Sequence, residues 1–305
     1  MAKGKRIVIT SRTINLWLLF LPVVVLLILF NYAPMYGLII SLKDFSPFRG
    51  IGGSPWVGLK HFEYFLGDPK FWQVVRNTLV ISGLDILFGF PAPVIFALLA
   101  NEITNQPFKR VTQTISYLPH FLSWVVVAGI FQQLLSPTSG LLQPWLARIV
   151  PGFEPFPILT MTRFFRPLVV SVEIWKGVGW GAILYFATLA GIDPNLYEAA
   201  YIDGAGRVRM AWHITLPGLM PIISLMFILR IAAFLSVGFE RIFVFATPLV
   251  YEISDVLSVY VYRLGLVNAQ YSLTTAIGLV SAVLGFLMLY GGNKLASKAA
   301  GLGLW

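Results

Sequence analysis

The sequence predicts an all-α integral membrane protein with six transmembrane helices, and three observations predict it. Hydrophobic residues make up 57% of the chain and charged residues 11%, against about 25% charged in an ordinary soluble domain. Six stretches, about 14–42, 72–101, 113–135, 167–190, 216–240 and 272–292, reach the roughly 20 apolar residues that cross a bilayer. Four groups of basic residues fall in alternate gaps, while the opposite loops also carry Lys and Arg but are longer and mix in acids. Lys3, Lys5, Arg6 and Arg12 precede the first stretch, and Lys109 and Arg110 separate the second from the third. Arg207 and Arg209 lie between the fourth and fifth, and Lys294 and Lys298 follow the sixth. Placing these four groups on one face obeys the positive-inside rule and puts both termini in the cytoplasm.

The same composition excludes several classes. The net charge of +9 is spread between apolar runs instead of forming one stripe, so topology explains it better than nucleic acid does. Without cysteine there is no disulfide framework, thiol nucleophile or Cys-ligated zinc site. His61, His120 and His213 are scattered, with no HExxH and no serine and acid beside any of them. No GxxxxGK[ST] phosphate loop is present, so ATP hydrolysis is not expected of this chain.

In chain order, MAKGKRIVITSRTINLW has the basic flank of a signal peptide. The apolar stretch behind it runs to about Leu42, too long for a signal core, and predicts a retained first span. Residues 43–71, rich in Gly, Pro and aromatics, predict an ordered, turn-rich outer cap. Asn77, Asp85, Pro91 and Pro93 interrupt the second span, and the prolines predict kinks. A short polar inner loop, NEITNQPFKRV, leads through Tyr117-Leu118-Pro119-His120 into the third. The outer loop at 136–166 has room for a short helix near Leu141–Ile149. In the fourth span Glu173 and Lys176 are three apart and predict an ion pair. Gly177, Gly179 and Gly181 predict close helix packing. The fifth carries Arg230 in its middle and Glu240-Arg241 near its outer end. The tail to Trp305 has a basic flank and is expected along the membrane surface.

The polar stretch between the fourth and fifth spans is the most informative. Asp193-Pro194 predicts a helix start, with Asp as cap and Pro in the first turn. Tyr197, Glu198, Tyr201 and Ile202 then share one side of a short helix. Asp203-Gly204 interrupts it, a second short helix covers about Arg207 to Ile214, and Pro217 opens the next long one. Taken alone, this is either a displayed helix–turn–helix or an amphipathic helix resting on the membrane surface. Glu198-Ala199-Ala200, Asp203-Gly204 and Ile214-Thr215-Leu216-Pro217, at this spacing, resemble the EAA loop of binding-protein-dependent ABC importer permeases. Trp56-Val57-Gly58-Leu59 with Phe62, and YRLGLVNAQYSLTTAIGLV before the last span, resemble segments of the carbohydrate-uptake branch.

That resemblance implies the type I ABC importer permease fold, with Glu198, Ala199, Ala200, Asp203, Gly204, Ile214, Leu216 and Pro217 forming a cytoplasmic coupling helix on an ATPase subunit. It implies a bacterial cell-membrane protein working with a second permease, two ATP-binding subunits and an extracytoplasmic solute-binding protein. ATP and Mg would sit in the ATPase partners and no cofactor in this chain. The cargo it implies is an oligosaccharide, with a monosaccharide or peptide as the alternative, and an ATPase-independent membrane enzyme or sensor as the remote one. The expected organisation is 1–71 as N-terminal segment, first span and outer loop, 72–292 as transmembrane domain with its loop at 193–217, and 293–305 as tail.

Ionisable residues within spans are expensive and usually face a partner or a water-filled cavity. Asp85, Glu173, Lys176, Arg230 and Glu240 are therefore candidates for the translocation path, with Trp124, Trp175, Trp180 and Tyr185 as rings for sugar faces. The structural alternative is a Glu173–Lys176 pair and aromatics that face lipid or core.

Overall fold

The computed structural model describes residues 11–235 and 237–300. Lys3, Lys5, Arg6 and Trp305 lie outside them, as do the side chains of Arg12 and Lys298. The described residues are almost wholly helical, with one isolated β-bridge between Lys43 and Trp56. Five unbroken helices are long and apolar enough to cross a membrane: Ile14–Leu42, Pro69–Asn101, Thr162–Leu189, Arg207–Ala232 and Tyr271–Lys294. A sixth candidate, third in order, is in two pieces, Gln106–Phe121 and Trp124–Leu135.

Helix starts follow a repeated local device. The Asp68 carboxylate accepts from the Lys70 amide at 2.8 Å, Asn105 from Phe108 at 3.1 Å and Asp193 from Asn195 at 3.0 Å. Each cap precedes a proline in the first turn, where no helical amide bond is lost. The cap at Asp68 begins the second span three residues before the expected position 72.

Two expectations are corrected. The third span is not one helix over 113–135. It starts at Gln106, so Lys109 and Arg110 stand on a helix, and it turns through 103° before Trp124. Pro119 has no amide hydrogen, the chain tightens over Leu118–Phe121, and Ser123 caps the new helix by accepting from Val126 at 3.3 Å. The fifth span is not 216–240 either. Arg207–Ala232 is continuous because a widened turn at Ala211–Thr215 carries the helix past Pro217. The separate short helix expected over Arg207–Ile214 is thus its first part. Arg230 lies in its last turn instead of its middle, and Glu240 and Arg241 fall on a separate short helix, Phe239–Phe245.

The chain divides into two compact units. One holds the described residues up to Gly67 with Leu264–Leu279. Its cap is ordered around buried Lys43, whose ammonium donates to the Ile51 carbonyl at 2.6 Å and lies 4.8 Å from the Trp56 ring centre. In the other unit, Asp68–Arg263 with the residues from Val280, the described residues include two apolar clusters. Ile81, Val127, Phe165, Val169, Val172, Ile242 and Phe245 form one, and Val94, Ala97, Ala182, Tyr185 and Leu219 the other. Near the first, Asn77 accepts from Arg166 at 2.8 Å and donates to the Glu252 carbonyl at 2.9 Å, which satisfies an amide inside a span. A Cβ at Gly179 would lie 2.2 Å from the Ser116 carbonyl oxygen, and one at Gly181 2.9 Å from Pro93. Those two glycines admit close packing as expected, whereas Gly177 has open space before it.

Candidate functional site

The stretch after Asp193 forms an elbow. Its helix, Pro194–Ile202, closes through Gly204, whose φ of +73° is a conformation open to glycine. Glu198, Ala199, Asp203, Gly204 and Pro217 are exposed, while Ala200, Ile214 and Leu216 are half-buried. Leu196, Val208 and Trp212 are exposed as well, and Tyr201 and Ile202 reach 77% and 85% exposure. The elbow thus holds apolar side chains out on a polar segment. The elbow is nonetheless anchored. The Tyr197 hydroxyl lies 3.0 Å from that of Thr215, and a Cβ at Gly218 would come within 2.8 Å of Ile192.

A second constellation sits where the two apolar clusters leave off. Asp85 is 3% and Arg241 1% exposed. Arg241 donates to Asp85 from Nη1 to Oδ1 at 3.1 Å and from Nη2 to Oδ2 at 2.7 Å, a two-pronged pair. Its Nη1 also lies 3.3 Å from Glu173 Oε2, and Arg230 Nη2 lies 3.5 Å from Asp85 Oδ2. The four charges form an alternating row, Glu173, Arg241, Asp85, Arg230, drawn from the second, fourth and fifth spans and the short helix after the fifth. Its inner members are buried. Its ends are not, with 33% of the Glu173 side chain and 40% of the Arg230 side chain exposed.

Both ends line two adjoining spaces. A cavity of about 140 Å³ is walled by the four charged groups and by Ser82, whose hydroxyl donates to the Phe234 carbonyl. A cleft of about 380 Å³ continues past Glu173 and Arg230 to Gly177, Gly181 and Tyr185. Of the candidate path residues, Asp85, Glu173, Arg230 and Tyr185 are thereby brought together. Glu240 is exposed and lines neither space.

The expected Glu173–Lys176 pair is absent. Glu173 turns to Arg241, and buried Lys176 donates to the His120 carbonyl at 2.6 Å while lying 5.3 Å from the Trp124 ring centre. The bend in the third span explains this, because a broken helix leaves carbonyls without amide partners and an ammonium can meet one. Trp180 stacks on His120 with ring centres 4.4 Å apart, and Trp175 meets Phe131 edge-on at 5.5 Å. Trp175 and Trp180 thus contact the two pieces of the third span, to which Trp124 itself belongs, and none of the three lines either space, though Trp175 and Trp180 keep 41% and 47% exposure. Sequence reasoning noted Arg241 but did not choose it, although it is the centre of the row. The sequence already offered Lys176 and Arg230 as cations for Asp85 and Glu173, so no local signal singled out Arg241.

Residues 89–298 match the family described as "Binding-protein-dependent transport system inner membrane component". The chain is 41% identical to Protein LplB of Bacillus subtilis (strain 168), over 93% of this chain and 88% of that protein. It is 40% identical to the polygalacturonan/rhamnogalacturonan transport system permease protein YteP of the same organism, over 95% and 90%. It also resembles a chain in the crystal structure of a bacterial alginate ABC transporter in complex with an alginate pentasaccharide-bound periplasmic protein. The TM-score is 0.89 at 37% identity, covering 96% of this chain and 98% of that one.

Proposed function

From the premise that this chain belongs to the family of binding-protein-dependent transport system inner membrane components, we propose that it forms half of the translocation pathway of an ATP-driven oligosaccharide importer. Its partners are a second permease, two ATPase subunits that hold ATP and Mg, and a solute-binding protein outside the membrane. Both termini face the cytoplasm, a reading supported by the Lys and Arg groups at 3–12, 109–110, 207–209 and 294–298. The saccharide cargo is supported by the likeness to YteP and to the alginate transporter.

One observation carries the coupling reading: the elbow offers Tyr201 and Ile202 to the surroundings beside Glu198, between two spans to which it is firmly attached. An ATPase groove that takes this helix gains apolar burial and a charge contact. When the ATPases close, the pull passes through the Tyr197–Thr215 and Ile192–Gly218 contacts to the fourth and fifth spans. Those spans carry Glu173 and Arg230, so the motion reaches the cleft and switches its open side.

The test is ATP-driven saccharide uptake by the assembled transporter with Glu198→Ala or Gly204→Val. Both variants should insert into the membrane normally and lose uptake, the second because valine is strained at positive φ. Normal uptake by either would overturn the coupling role, and failure of an ATPase subunit to copurify with the wild-type chain would overturn the assembly.

A further inference from the structure

We infer that Arg230 holds a carboxylate of the cargo, so that the cleft selects an acidic saccharide. The inference rests on reading the cleft as the cargo path, and it starts from how unevenly the row of four charges is satisfied. Arg241 and Asp85 neutralise each other through two hydrogen bonds in a buried setting. Glu173, at one end, has Arg241 at 3.3 Å. Arg230, at the other, has among the described residues a single 3.5 Å approach, to Asp85 Oδ2, an oxygen that Arg241 already holds at 2.7 Å. Burial of Asp85 thus does not need Arg230.

A guanidinium has five N–H donors in a planar fork. Arg230 lines a cleft of about 380 Å³, within the size range of small-ligand sites. Glu173 and Arg230 are the charged groups on its lining, with Tyr185 and Phe90 as aromatic walls. A carboxylate matches the fork with two parallel bonds, which a sugar hydroxyl cannot do. Glu173, already compensated by Arg241 and only an acceptor, suits the hydroxyls of the same sugar. A uronate residue presents both kinds of group on one ring.

The test is equilibrium binding of labelled trigalacturonate and of neutral galactotriose to the assembled transporter in lipid nanodiscs, without its binding protein. The wild type should prefer the acidic probe, and its affinity for that probe alone should fall as salt rises. Arg230→Gln should weaken trigalacturonate by about 10- to 100-fold and galactotriose far less, with an unchanged melting temperature certifying its fold. Arg230→Lys, which keeps the charge and loses the fork, should fall between. Equal weakening of both probes would make Arg230 structural and overturn the inference, as would an unchanged affinity for trigalacturonate in Arg230→Gln. If Arg230→Gln does not fold, a salt-independent wild-type affinity for the acidic probe overturns it. Wild-type preference for galactotriose would overturn the inference alone, whereas binding of neither probe would overturn the cleft reading with it.

Discussion

Around the elbow the chain holds apolar side chains out, whereas between the second, fourth and fifth spans it holds charges in. Ile202 is 85% exposed at the first place and Arg241 1% at the second. The two departures have different causes. Exposed apolar surface is tolerated by one chain and becomes favourable only when another covers it. Buried charge must be balanced within the chain itself, because an isolated ion in a low-dielectric interior is far more costly. The elbow's apolar side chains stay uncovered within this chain, whereas the charges of the row are paired within it, although buried Arg241 Nε has no hydrogen-bond partner among the described residues. A substitution at the first should be felt in assembly, and at the second in folding.

The largest effect tests that contrast from the cleft side. Arg241→Met should lower stability by about 3–5 kcal/mol by stranding Asp85, seen as a lower melting temperature in detergent. Adding Asp85→Leu should recover most of it. Unchanged melting in the single variant would break the comparison. The next effect comes from the elbow. Tyr201→Ser with Ile202→Ser should leave melting within about 0.5 kcal/mol, yet weaken binding of the ATPase subunit by about 2 kcal/mol or more, read by titration. A variant that melts early instead would mean that these side chains serve the fold.

Two smaller changes sharpen the boundary between the regions. Gly179→Val places its side chain against the Ser116 backbone, and overpacking of this kind costs about 1–3 kcal/mol, again visible in melting. Tyr197→Phe removes the hydroxyl contact with Thr215, worth about 1 kcal/mol. Because that contact anchors the elbow, uptake per ATP hydrolysed should fall more than stability does.

Much of this was legible in the sequence, because membrane spans and caps are local signals. Six apolar stretches and the Asp193-Pro194 start can be read within a window of 20 residues or so. What escaped depends on residues distant in the chain. Glu173 and Lys176 satisfy the spacing rule for a helical pair, but Arg241 and the His120 carbonyl offer each a better partner. Neither was visible until the bend after Pro119 and the helix end at Ala232 were known. Pro217 does stand in the first turn of the regular α-helix from Leu216, and a widened turn joins that helix to Arg207–Met210. Asp85 and Arg230 were found because a charge in an apolar stretch stands out by itself. Arg241 stands out less, because it falls near the outer end of an expected span, where a charge is ordinary.

The unbroken run from Arg207 to Ala232 has a mechanical corollary. At 26 residues it is a rod of about 39 Å, with exposed Val208 and Trp212 near one tip and Arg230 near the other. A tilt of about 10° around either end would swing the opposite end by about 7 Å over that length. Had the helix snapped at Pro217, as its composition invites, a push at the near tip would be absorbed in the joint.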